Sequence, residues 1–299
     1  MANQEIIKQK LQYLEEQYHN HGTVKRIQRL AAQIRKDVVM MIGCEGHVGH
    51  LGGSCSSADI VAALYGRKMK LNPQNPDWED RDRFLYSKGH AGIAQYAALA
   101  ELGYFPREDL WEVKNLGARL QGHPDRIRTP GIEANTGSLG QGLSIANGMA
   151  LAMRLDNRPG KVYCVMGDGE QAEGQIWEAA MAASAHKIDN LVGIIDQNRL
   201  QATGAVSDRF DTNPLPEKWA AFGWHVIEID GHKIEEILRA LDEADTIKGK
   251  PTAIIAHTVK GKGISFAENQ TSFHNTALTR EQYETALKEL DAQLAKLER

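Results

Sequence analysis

Two hydrophobic rhythms alternate through the second half of the chain. Short runs dense in Val and Ile stand at 162–166 (VYCVM), 191–196 (LVGIID), 225–229 (HVIEI) and 252–259 (TAIIAHTV). Between them, 173–186 and 233–245 space their apolar residues at helical intervals. Strands separated by helices predict βαβ units: an α/β fold with a mainly parallel sheet flanked by helices. The first half reads as helices at 4–19, 24–45, 57–67 and 90–102, the second with Ile27, Leu30, Ile34, Val38 and Met41 on one face. GCEGHVGHLGGS (43–54) carries too much glycine for helix or strand, and 134–155 reads as loop and then helix. From 279 an amphipathic helix places Tyr283, Leu287, Leu290, Leu294 and Leu297 on one stripe. Thr279 and Gln282 are spaced as a capping box. That stripe packs either on the body of the protein or on a partner.

Composition narrows the class. The 299 residues hold no internal repeat and no Pro/Gly/Ser linker between domains, so 1–299 is expected to form one unit. A formal charge of −4 argues against an electrostatic nucleic-acid binder. No apolar run approaches the length of a membrane span, and the N-terminus, MANQEIIKQK, is unlike a secretory signal. Three cysteines, Cys44, Cys55 and Cys164, lack metal-ligand spacing and fit a reduced, cytoplasmic protein.

The chemistry concentrates where strand 162–166 runs into Gly167-Asp168-Gly169, with a helix about to start. Ligands of open α/β sheets sit outside the carboxyl ends of the strands. Glycines on both sides let the backbone turn sharply beside a ligand, and the amides of the next helix face the same crevice, which suits phosphate. The following strand ends at Asp196, then Gln197 and Asn198. Neighbouring strands lie about 5 Å apart, which would set Asp168 beside Asn198. A carboxylate and an amide oxygen are hard ligands for Mg²⁺ or Ca²⁺ carrying a diphosphate. An ordinary turn followed by a capping Asn is an equally good reading of these residues alone.

Gly-Asp-Gly followed some thirty residues later by Asn resembles the thiamine diphosphate signature of thiamine-dependent enzymes. GDGEQAEGQIWEAA (167–180) resembles its transketolase version, as do GHVGHLGG (46–53), YSKGHAGIAQYA (86–97), GHPD (122–125), TGSLGQGLSIANGMA (136–150), FGWHVIEIDGH (222–232) and TVKGKGISF (258–266). The likeness covers roughly residues 25 to 275 and implies the thiamine diphosphate-binding fold. It implies Asp168, Asn198 and the carbonyl of Leu200 as ligands of Mg²⁺ (or Ca²⁺ or Mn²⁺), and Gly167 and Gly169 against the diphosphate. Gly137, Leu139 and Gly140 would line the cofactor, and Glu173 would sit at a subunit interface, linking active sites. His47, His90, His123 and His274 would surround the thiazolium ring and the ketose hydroxyls as hydrogen-bond partners and proton carriers.

Against the family pattern, Val48 replaces a usual Pro, His50 a small residue, Lys88 a small amide and Asn275 a Gly. His47 and His50 form H-x-x-H, but without further ligands to make a zinc site. VKGKG lacks the spacing of a nucleotide-binding phosphate loop. Transketolase further needs a pyrimidine-binding domain and a C-terminal domain, so the resemblance implies one subunit of a split enzyme. Its separately encoded partner would complete the site, as α₂β₂, for ketol transfer between sugar phosphates. Alternatives are the E1 α subunit of a 2-oxo acid dehydrogenase, deoxyxylulose-phosphate synthase, and a non-catalytic cofactor-binding regulator.

Overall fold

A computed structural model describes residues 21–43 and 48–298. The segment 4–19, Cys44 and His47 lie outside the described residues. Five parallel strands form the central sheet: β1 (Arg83–Tyr86), β2 (Val162–Gly167), β3 (Leu191–Gln197), β6 (His225–Asp230) and β7 (Thr252–His257), in the order β1-β2-β3-β7-β6. A small antiparallel ribbon, β4 (Leu200–Gln201) and β5 (Gly204–Ala205), lies just beyond the end of β3. Strand β1 was not among the elements expected from the sequence: RFLY is short and opens on a polar residue.

The central strands β2, β3 and β7 are buried on both faces, which is why they are nearly continuously apolar, whereas the edge strand β6 is only partly buried. Val162, Cys164 and Met166 of β2 join one core with α5 (Gln141–Leu155), α6 (Gly174–Ala185) and α8 (Leu215–Ala221). Tyr163 and Val165 turn to the opposite core, built from α1 (His21–Ile42), α3 (Ala58–Ala63), α4 (Gly92–Glu101) and α9 (Ile234–Thr246). The period-two alternation of a strand thus divides one run between two layers.

One expectation is corrected. Leu51–Ser56, inside the glycine-rich stretch, form a short helix, α2, with all six residues buried. Helix propensity is overridden by packing: a Cβ on Gly52 would come within 2.8 Å of the Lys260 side chain, so small residues are required there. The helix read at 57–67 is α3 followed by a wider turn over Leu64–Lys68, and β7 stops at His257 rather than 259.

The C-terminal helix α10 (Arg280–Glu298) begins as its spacing predicts. Gln282 N–H donates to Thr279 Oγ1 at 3.2 Å, and Thr279 N–H donates back to Gln282 Oε1 at 3.0 Å. Of its two open alternatives, the structure takes the body of the protein. Leu290 is fully buried, and Lys36 and Arg29 of α1 pair with Asp291 and Glu298. The preceding helix α7 is a single turn, Val206–Arg209. No helix among the described residues is long and apolar enough to cross a membrane.

Candidate active site at the carboxyl ends of the strands

Parallel pairing places Gly167 opposite Asp196, so the residues after β2 and β3 emerge side by side. Asp168, 4% exposed, accepts from its neighbour Gly169 N–H at 2.8 Å and from Arg199 N–H. Asn198 Oδ1 accepts from Leu200 N–H at 3.1 Å, and its Nδ2 donates to Asp196 at 3.1 Å. Asp168, Asn198 and Leu200, named separately from the sequence, line one cavity of about 190 Å³ together with Gly167, Gly169 and Leu139.

Among the described residues no side-chain cation is hydrogen-bonded to Asp168. Burial, with the nearby Asp196 charge, pushes its carboxyl up to about 6, although two backbone N–H groups oppose this. A buried carboxylate short of positive charge, beside an amide oxygen and a carbonyl, is a donor set that fits a hard divalent cation. Lys260 reaches the same place. Its Nζ donates to the Leu200 carbonyl at 2.8 Å and lies 2.9 Å from His274 Nδ1. Burial and the Lys88 charge lower Lys260 to about 8, so it still carries its proton at neutral pH.

Beneath the cavity, the Lys88 ammonium is buried against Asp196 and also donates to the Gly53 carbonyl at 2.8 Å. Burial by itself would raise Asp196, but Lys88, Ser56 and Thr258 hold its carboxyl below the usual range. The pair joins β3 to the end of β1 and to α2. Glu170 does the equivalent work on the other side: it accepts from Ser87 Oγ, from Gly140 N–H at 2.8 Å and from Gly167 N–H at 3.0 Å. It therefore ties the loop before α5 to the Gly-Asp-Gly turn. Gly140 itself is left-handed (φ 83°), and a Cβ there would meet the Glu173 Cβ at 2.7 Å. Glu173, exposed, stands just before the first residue of α6 at the rim of the cavity.

Three of the four sequence-selected histidines come together; His47 lies outside the described residues. The rings of His90 and His274 are 5.2 Å apart and both face the cavity. His123 lies farther out, against Gly137, where a Cβ would meet its ring at 2.8 Å. His50 completes the group, with ring centroids 5.0 Å from His90, 5.6 Å from His274 and 6.2 Å from His123. Burial first, then neighbouring positive charge, lowers all four; His274 falls to about 3 and His50 to about 4. They are neutral imidazoles at physiological pH.

Glu170, Lys260 and the Lys88–Asp196 pair were not expected from the sequence as parts of the site. Glu170 follows the Gly-Asp-Gly acid by two residues, and Lys260 stands between apolar and glycine positions where a surface lysine has no reason to be. Both signals were present in the sequence.

The family model described as "Transketolase, thiamine diphosphate binding domain" matches residues 27–295. The chain belongs to the transketolase family. It is a transketolase subunit carrying the thiamine diphosphate-binding domain. It is 49% identical over 265 residues to a 6-deoxy-6-sulfo-D-fructose transketolase subunit of Clostridium sp., covering 89% of this chain and 96% of that one. It is 42% identical over 276 residues to one subunit of the apulose-4-phosphate transketolase of Phocaeicola vulgatus, covering 92% and 98%. The structure superposes on transketolase from Leishmania mexicana with a TM-score of 0.81 at 32% identity, covering 91% of this chain and 45% of the other. This transketolase chain therefore spans less than half of the solved transketolase structures it matches.

Proposed function

We propose that this chain supplies the diphosphate and metal half of a ketol-transfer site that a separate pyrimidine-binding subunit completes. The observation that carries the reading is one cavity in which Asp168, Asn198 and the Leu200 carbonyl face His90 and His274. Mg²⁺ suits the oxygen set, with diphosphate oxygens and water completing its octahedron. Gly167 and Gly169 would lie along the diphosphate, and Gly137, Leu139 and Gly140 along the rest of the cofactor. When bound, thiamine diphosphate supplies the electron sink for breaking a carbon–carbon bond.

The chain's own residues position and move protons. His274 receives Lys260 on Nδ1 and so presents Nε2–H to the substrate, and His90 stands beside it as a second neutral donor and acceptor. His123, and His47 by its place in the motif, act on hydroxyls of the ketose. Glu173, exposed at the rim, is placed to reach across a subunit interface toward a second active site.

A split enzyme is supported by relatives named as subunits, of which this chain covers 96% and 98%. The α₂β₂ assembly and a cytoplasmic setting follow from this reading. The relatives' names also favour a specialised sugar, such as a sulfonated hexose or an apulose phosphate, over ordinary pentose phosphates. The test is to purify the chain and its partner separately and assay transfer from each ketose class to an aldehyde acceptor, with thiamine diphosphate and Mg²⁺. Transfer is expected only from the mixture. Full turnover by this chain alone would sink the two-subunit reading, and oxidative decarboxylation of a 2-oxo acid would move it to the E1 class.

A further inference from the structure

His50 does not line the cofactor cavity. Its position is nevertheless tightly set. It precedes α2, and Ser54 Oγ donates to its carbonyl at 2.6 Å. The adjacent Gly49 exchanges two backbone hydrogen bonds with Thr276, both 3.0 Å, joining the segment that carries His50 to the one that carries His274. No alanine fits at Gly49 without displacing Ile42, whose side chain lies 2.5 Å from an added Cβ.

The histidines form two tiers. His90 and His274 line the cofactor cavity, whereas His50 and His123 do not. His50 touches both tiers, so a sugar extending outward from the cavity passes its ring. Among the described residues that ring makes no hydrogen bond, although it is largely shielded from water. A half-buried polar ring with no partner among the described residues offers an open hydrogen-bonding position.

We propose that His50 is a specificity-determining residue of the ketol-transfer reaction, hydrogen-bonding a hydroxyl of the ketose just outside the cofactor cavity. The inference rests on the ketol-transfer reading. Shielding from water, reinforced by the charges of Lys114 and Lys260, keeps the ring neutral with a value of about 4. A neutral imidazole offers one N–H donor and one lone pair, and a hydroxyl of a polyol can use either. Lys114 sits at the outer edge, its ammonium held on the Val48 carbonyl, and adds positive charge without occupying the ring.

The test uses the reconstituted complex of this chain and its partner, with thiamine diphosphate and Mg²⁺. The donors are a ketose and a set of its deoxy analogues, one for each hydroxyl from the third carbon outward. In the wild type one analogue should lose about 10–100-fold in kcat/KM, the scale of a single hydrogen bond to a buried site. His50→Ala should lower kcat/KM for the full ketose by a similar factor and leave that analogue nearly unaffected, so the preference collapses. His50→Gln should restore some of it through its amide N–H, and cofactor affinity measured calorimetrically should be retained in both variants. Equal loss on every donor, or an unchanged preference, would overturn the proposal. A wild-type complex without ketol transfer would instead sink the underlying function, and this is seen before any substitution is made.

Discussion

Lys260 Nζ lies 2.9 Å from His274 Nδ1, inside the cavity and buried. At neutral pH the lysine keeps its proton and the imidazole lacks one, so the bond runs from ammonium to ring nitrogen. This selects the tautomer in which Nε2 carries hydrogen. Lys260→Met removes the donor while keeping the stem that packs on Gly52. Ketol transfer by the reconstituted complex is expected to fall about 10²-fold or more, mainly in kcat. An unchanged kcat would show that His274 is held by other means.

Glu170 gathers three donors on one carboxylate. Glu170→Gln turns one of those acceptors into an NH₂ facing a backbone N–H or a hydroxyl, which leaves a buried donor unpaired. The cost should be about 1–3 kcal/mol in urea unfolding, with cofactor affinity weakened because the loop at Gly140 is released. Wild-type cofactor affinity in that variant would separate the loop's anchoring from binding.

Lys88→Met strands Asp196, which is fully buried. Breaking a buried pair from one side costs about 3–5 kcal/mol, whereas replacing both partners by apolar residues costs far less. Urea unfolding of Lys88→Met beside the double variant Lys88→Met/Asp196→Leu should therefore show the double variant as the more stable of the two. The reverse order would mean that the hydroxyls of Ser56 and Thr258 suffice for Asp196.

Asp168→Asn keeps the size of the side chain and removes its charge. Calorimetric titration with thiamine diphosphate and Mg²⁺ should lose the metal-dependent binding seen in wild type, and EDTA should abolish the wild-type signal equally. Metal-dependent binding that survives in Asp168→Asn would displace Asp168 from the proposed ligand set.

The histidine cluster also has a signature in stability. Folded values lie below the usual 6.5 for His50, His90 and His274, so between those values and 6.5 the unfolded chain binds more protons than the folded one. Stability therefore rises with pH through that window and is lost as pH falls below 6.5. Asp37 and Asp168, raised by burial to about 6, act in the opposite sense between the usual carboxylate range and 6. His50→Gln should reduce the pH slope of urea-unfolding stability near pH 6 by up to one proton. An unchanged slope would mean that the ring is solvated and titrates as in the unfolded chain.

The strands and the central chemistry were legible because they are local. VYCVM and LVGIID are apolar without interruption, which signals burial on both faces, and Gly-Asp-Gly is a turn that side chains cannot imitate. The capping box at Thr279 is likewise written in two residues three apart. Helix α2 was not legible: glycine opposes helix in isolation, and only the approach of Lys260 from the far end of the chain makes small residues necessary at Gly52. Strand β1 was missed because its four residues become a strand by pairing with β2.

What the sequence by itself determined is the alternation of strands and helices in the second half, the acid and amide at matching strand ends, and the family, since each depends on short local patterns. Only the tertiary structure decided that Lys260 holds His274, that Lys88 neutralises Asp196, that Glu170 anchors the Gly140 loop, and that His50 joins three other imidazoles. Those contacts span 14 to 224 residues, and although local signals mark Glu170 and Lys260 as unusual, none names the partner each one finds. They arise because parallel pairing brings the carboxyl ends of β1, β2, β3 and β7 to one edge, where buried charges must find each other or remain unpaired.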